Sequence, residues 1–163
     1  MNLRFPELNT FSAVLSFAVE LESQAMKFYE DVAQNQKCSE AMEAFLDFAK
    51  ENKRRKELLE RVRRENITEM ILEPITDLKR SDYLIEVKLD QDTSYLAILG
   101  LAMEMEERAH RFYRESARKA KYLLAEVSRT FEKIARERAN HELKLKSLHD
   151  NALRPRDARS HIA

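Results

Sequence analysis

Helix breakers are almost missing from these 163 residues, which hold one glycine and three prolines. A β-sandwich or a doubly wound α/β fold uses Gly and Pro at its turns, and an unstructured polymer is commonly rich in them. Their scarcity argues against all three. Cysteine is almost missing as well: Cys38 stands alone. It can make neither an internal disulfide nor a Cys-x-x-Cys metal knot. No stretch approaches the ~18 uninterrupted apolar residues of a membrane helix. The opening MNLRFPELNT has no apolar signal-peptide core. These absences predict a cytoplasmic protein without a membrane partner. Net charge is absent too, because 29 basic side chains cancel 29 acidic ones. That balance argues against a dedicated nucleic-acid binder.

What remains is a chain that is 36 % charged and 44 % hydrophobic, the mixture of long amphipathic helices with solvated outer faces. Apolar residues at helical spacing predict four such helices. The first runs from an N-cap at Thr10 to about Gln34, with Val14, Leu15, Ala18, Ala25, Tyr29 and Val32 in its stripe. After a short link at 35–38, the second runs from about Ser39 to Glu65. Residues 66–92, with Pro74, Ile67, Ile71 and Ile75, read as a long connection. The third helix is expected from Asp92 or Thr93 to Arg118, and the fourth from Lys121 to His149. Short link, long crossover, short link predicts an all-α, ferritin-like four-helix bundle. It would span residues 1–152, followed by a disordered basic tail at 153–163.

The two halves of the chain repeat each other. AVELESQAMKFY (18–29) lies over AMEMEERAHRFY (102–113) with six identities in twelve, among them Glu22/Glu106 and Tyr29/Tyr113. The second and fourth helices match more loosely, pairing Phe45 with Phe131, Glu51 with Glu137 and Leu59 with Leu145. The molecule is therefore expected to be two related helical hairpins.

Six polar residues interrupt the apolar stripes: Glu22 on the first helix, Asn52 and Arg55 on the second, Glu106 on the third, Arg138 and His141 on the fourth. Burying a charge is costly unless it is paired or bound to a metal. The one, two, one, two arrangement is that of the dimetal carboxylate bundles, in which single Glu residues alternate with Glu-x-x-His pairs.

On these residues the sequence resembles the rubrerythrin branch of the ferritin-like superfamily. ELESQAMKFYE and EMEERAHRFYRE are similar to that family's first and third ligand helices, FAKENKRRKELL and IARERANHELKL to its second and fourth. The resemblance implies a centre of iron or iron with manganese, peroxide-reducing or ferroxidase activity, and a homodimer. It implies that Glu22, Glu106 and His141 stand at ligand positions. The other three positions carry Asn52, Arg55 and Arg138 instead, and with one Cys there is no rubredoxin-like module. Two carboxylates and two guanidiniums sum to zero without metal. Arginine stays protonated and pairs well with carboxylates. The main expectation is therefore a metal-free, structural or regulatory relative without a cofactor, its two Arg side chains in the space of the two ions.

Other readings stay open. Arg55 and Arg138 would instead snorkel outward. Glu51 and Glu137 would reach the ligand positions if a helix were bulged. His110, four residues after Glu106, would join Glu22, Glu106 and His141 in a mononuclear site for iron or another divalent metal, making the protein an iron-dependent oxidoreductase. Tyr29 and Tyr113 would then lie beside the metal; otherwise they pack and hydrogen-bond a buried Glu. The basic run 50–65 would be a nucleic-acid patch, but it lacks interleaved aromatics and reads as a solvated helix face.

Overall fold

The computed structural model describes residues 7–70, 78–121 and 124–154. Its element order is α1 (Phe11–Ala33), a 3₁₀ turn (Gln36–Ala41), α2 (Met42–Met70), a second 3₁₀ turn (Arg80–Asp82), α3 (Tyr95–Ala120) and α4 (Ala125–Leu153). There is no strand among the described residues. The architecture is an all-α, ferritin-like four-helix bundle. None of the described helices is long and apolar enough to cross a membrane.

The helix ends follow from local chemistry. The Thr10 hydroxyl accepts the Ala13 N–H at 3.1 Å and starts α1. The third helix begins later than expected, because Thr93 is used in a turn: its hydroxyl donates to the Asp90 carboxylate. Ser94 caps instead, accepting the Ala97 N–H at 3.1 Å. The second helix continues past Glu65 to Met70. The β-branched Ile67 and Thr68 do not stop it, since propensity is a weak prior beside packing. The first link is itself a 3₁₀ turn, opened by the Asn35 side chain accepting the Lys37 N–H at 2.9 Å. Helix α4 starts four residues later than expected and runs through Leu153, into the segment read as tail. Residues 155–163 lie outside the described residues, as do Ile71, Pro74 and Ile75 of the crossover.

Each hairpin packs along its length, and α2 meets α4 antiparallel: Phe48 stacks on His141 at 4.2 Å and Arg54 pairs with Glu137 at 3.2 Å. The described part of the crossover is pinned across α1 and α3. Arg108 donates to the Leu84 carbonyl at 2.6 Å, Arg111 to that of Asp82 at 2.9 Å, and Gln24 to that of Ile85 at 3.3 Å. Arg80 pairs with Glu20 at 3.0 Å and lies 4.6 Å from the centre of the Phe17 ring.

The core divides into two apolar clusters. One gathers Phe11, Phe17, Leu59, Phe112 and Phe131. The other gathers Phe28, Val32, Phe45, Phe48, Leu99 and Leu145. Between them lies a polar layer to which all four helices contribute.

Candidate functional site

The layer is built from one or two turns of each helix. Glu22 and Tyr29 come from α1, Asn52 and Arg55 from α2, Glu106 and Tyr113 from α3, Arg138 and His141 from α4. None of these eight is more than 2 % exposed. Neither Arg snorkels: Arg55 and Arg138 are among the largest fully buried side chains of the molecule. Each points inward because it sits in register with apolar neighbours, Leu59 one turn beyond Arg55 and Ile134 one turn before Arg138.

Arg138 lies between the two carboxylates. Its Nη1 donates to Glu22 Oε2 at 3.0 Å, and its Nε is 2.6 Å from Glu106 Oε2. The second approach is an ion pair off the hydrogen-bond axis, so that neither atom gains an aligned bond from it. Glu22 Oε2 also accepts from Asn52 Nδ2 at 2.7 Å and from Arg55 Nε at 3.2 Å. The tyrosines cross over between hairpins. Tyr113 donates to Glu22 Oε1 at 2.8 Å, and Tyr29 donates to Glu106 Oε1 at 2.6 Å. His141 Nδ1 faces Glu106 Oε1 at 3.5 Å.

The rim holds two residues that the sequence offered as ligands only if a helix were bulged. His141 Nε2 pairs with Glu51. Glu137 lies 3.2 Å from Arg54 and 3.9 Å from Arg55. Both glutamates are partly exposed, and neither helix is bulged to bring them into the core. A signal was present, since Glu51 and Glu137 are equivalent in the internal repeat. With them the site acquires an approximate twofold relation. Arg55 stands between the inner Glu22 and the rim Glu137; His141 stands between the inner Glu106 and the rim Glu51. His110 is only partly buried. Among the described residues it makes no hydrogen bond or ion pair with Glu22, Glu106 or His141. Nor do any three His, Cys, Asp or Glu side chains among the described residues converge as a metal-holding group.

The electrostatics follow from this packing. Burial alone would raise the pKa of Glu106. The Arg138 charge, the adjacent His141 and the hydrogen bond from Tyr29 outweigh it, and the carboxyl is held at about 2 against an ordinary 4.5. For Glu22 burial again pushes upward, and Arg138, Arg55, Asn52 and Tyr113 bring the net shift downward. Burial, then the adjacent carboxylate, raises the phenols of Tyr29 and Tyr113 well above their usual range. They remain protonated donors.

A depressed carboxylate stabilises the fold above its unfolded pKa and loses that contribution as pH falls through its folded pKa. For Glu106 the window runs from 4.5 down to about 2. Thermal melting between pH 5 and 2 should show a steep loss of stability. The acid limb should be shallower in Glu106→Gln, and equal slopes in the two proteins would contradict the assignment.

A model of the rubrerythrin family matches residues 97–161. Over that stretch the chain is similar to the rubrerythrins. The matched stretch covers α3 from Ala97 and all of α4, so it includes Glu106, Arg138 and His141. The match leaves the first hairpin uncovered; there Glu22 and Tyr29 are the counterparts of Glu106 and Tyr113 in the internal repeat. No curated protein and no solved structure matches the chain. In this bundle, two guanidiniums share the interior with two carboxylates.

Proposed function

We propose that this protein is a metal-free member of the dimetal carboxylate bundles, with a structural or regulatory role in place of redox chemistry. The observation that carries the reading is the position of Arg138, 3.0 Å from Glu22 and 2.6 Å from Glu106. A dimetal centre does not fit this donor set. Glu22 accepts from Tyr113, Asn52, Arg55 and Arg138, so a cation would have to displace guanidiniums that cannot deprotonate to become ligands. The inner charges cancel without an ion: two carboxylates face two guanidiniums. The buried free thiol of Cys38 accords with a reducing, cytoplasmic setting.

The competing reading, an iron-dependent peroxidase or ferroxidase with a mononuclear site, needs a cation among Glu22, Glu106, His110 and His141. It gains little support. His110 stays apart, and His141 Nε2 is committed to Glu51.

Elemental analysis of protein purified anaerobically with added ferrous iron tests the proposal. We expect well under one equivalent of iron, manganese or zinc per chain and no peroxide consumption. Two tightly held metals per chain would overturn it.

A further inference from the structure

The crossover is held to the bundle differently from the helices. Each helix is a hydrogen-bonded ladder, and the strap at residues 78–90 belongs to none. From 85 to 89 no backbone N–H has a hydrogen-bond partner among the described residues. Side chains hold the strap instead, and they alternate between two helices. Toward α1, Arg80 pairs with Glu20 at 3.0 Å and the Ile85 carbonyl accepts from Gln24 at 3.3 Å. Toward α3, the Leu84 carbonyl accepts from Arg108 at 2.6 Å, the Asp82 carbonyl accepts from Arg111 at 2.9 Å, and Tyr83 donates to Glu115. Leu78 and Tyr83 are buried, Leu84, Ile85 and Val87 are partly buried, and Glu86, Lys88 and Leu89 are exposed.

What the strap covers is apolar. Helices α1 and α3 meet through Phe17 and Phe112, whose rings stand edge to face at 5.1 Å. Leu21 follows Phe17 by one turn and Met105 precedes Phe112 by two, so both line the same seam. The strap closes that seam from outside. The Tyr83 ring lies 5.2 Å from that of Phe112, and the Arg80 guanidinium lies 4.6 Å from the centre of the Phe17 ring. Ile85 and Val87 pack against the cluster that contains Met105.

We propose that residues 78–90 form a latch that lifts as a unit from the seam between α1 and α3, while the crossed polar layer keeps the two hairpins together. Lifting gives up hydrogen bonds and an ion pair near the surface, whose net contribution is small because water replaces the lost partner. Separating the hairpins takes Arg138 away from a buried carboxylate, which is far more costly. The opening of lower free energy is therefore that of the latch. The turn at 90–93 is its hinge. There the Asp90 carboxylate accepts the Asp92 N–H at 2.8 Å and the Thr93 hydroxyl at 3.1 Å, and Lys37 holds the Gln91 carbonyl at 2.6 Å. Lifting opens to solvent an apolar groove lined by Phe17, Leu21, Met105 and Phe112.

Thiol labelling of the full chain by an aromatic disulfide, in low urea, tests the latch. Cys38 is fully buried in the cluster of Val32, Ala41 and Phe45 and reports opening of the bundle. Met105→Cys places a second thiol beneath the latch of the same molecule. The introduced thiol should label at least roughly tenfold faster than Cys38. Its rate should hardly depend on urea, because lifting exposes little surface, whereas the Cys38 rate should rise steeply. Adding Tyr83→Ala, which removes the buried ring of the latch, should speed the introduced thiol by roughly tenfold or more. Adding Arg108→Met, which removes one bond near the surface, should act in the same direction more weakly. Adding Glu22→Gln, which weakens the layer, should speed Cys38 and leave the rate of the introduced thiol unchanged. Equal rates and equal urea slopes for the two thiols overturn the proposal. So does an introduced thiol indifferent to both Tyr83→Ala and Arg108→Met, or one that Glu22→Gln speeds as much as it speeds Cys38.

Discussion

Glu22→Gln should lower the melting temperature by about 6–20 °C. The carboxylate of Glu22 accepts from four side chains on three other helices: Asn52 and Arg55 of α2, Tyr113 of α3 and Arg138 of α4. The amide keeps the shape but loses the charge, and it presents an N–H₂ to donors. Arg55 and Arg138 are then left buried with Glu106 as the one inner carboxylate. Breaking a buried ion pair from one side costs roughly 3–5 kcal/mol. For a domain of this length that corresponds to about 2–4 °C per kcal/mol. Glu106→Gln should act in the same direction, with the smaller set of Arg138, His141 and Tyr29 disturbed. Thermal melting by circular dichroism reads both. If each variant melted within about a degree of the parent, the guanidiniums would not depend on these carboxylates and the charge-replacement argument would fall.

The second large effect is a restoration. Changing Asn52→Glu, Arg55→His and Arg138→Glu together would place ligand types at all six layer positions, alongside Glu22, Glu106 and His141. Two Arg leave and two Glu arrive, so the inner charge moves from zero to minus four, which two divalent cations balance. Without metal the crowded carboxylates repel, raise one another's pKa and weaken the fold. With ferrous iron at about 100 times its dissociation constant, linkage returns about 2.7 kcal/mol, or a rise of several degrees. The triple variant should therefore melt below the parent when apo and rise with added ferrous iron, whereas the parent should not respond. A folded triple variant with no iron-dependent rise would mean that the six positions do not converge as a ligand set.

Much of this was legible in the residues because burial of charge is so costly. Glu22, Asn52, Arg55, Glu106, Arg138 and His141 stand out in sequence as polar interruptions of apolar stripes, and the packing brings all six into one layer. The helix count and the crossover were legible from periodicity. Glu51 and Glu137 were harder to read. They lie one residue off the inward face, where a side chain can stay in solvent or turn along a neighbouring helix, and only the α2–α4 packing decides between the two. The start of α3 was missed by a comparable competition: Thr93 and Ser94 are both competent caps, and Thr93 is drawn off by Asp90. The end of α2 was missed because β-branched residues lower helix propensity by too little to stop a helix whose neighbouring turns are packed.

The crossed pattern of the polar layer has a consequence for how the molecule opens. Tyr29 of the first hairpin is tied to Glu106 of the second, Tyr113 and Arg138 of the second to Glu22 of the first, and His141 to Glu51. Separating the hairpins would break all of these at once, and would take Arg138 away from a carboxylate deep in the core. A partly opened state keeps only the contacts within each hairpin, Asn52 and Arg55 with Glu22 and Arg138 with Glu106, and loses every bond between the two halves together with part of the apolar burial. The layer thus fuses two repeated halves, each of which looks like a candidate for independent motion, into a single cooperative unit.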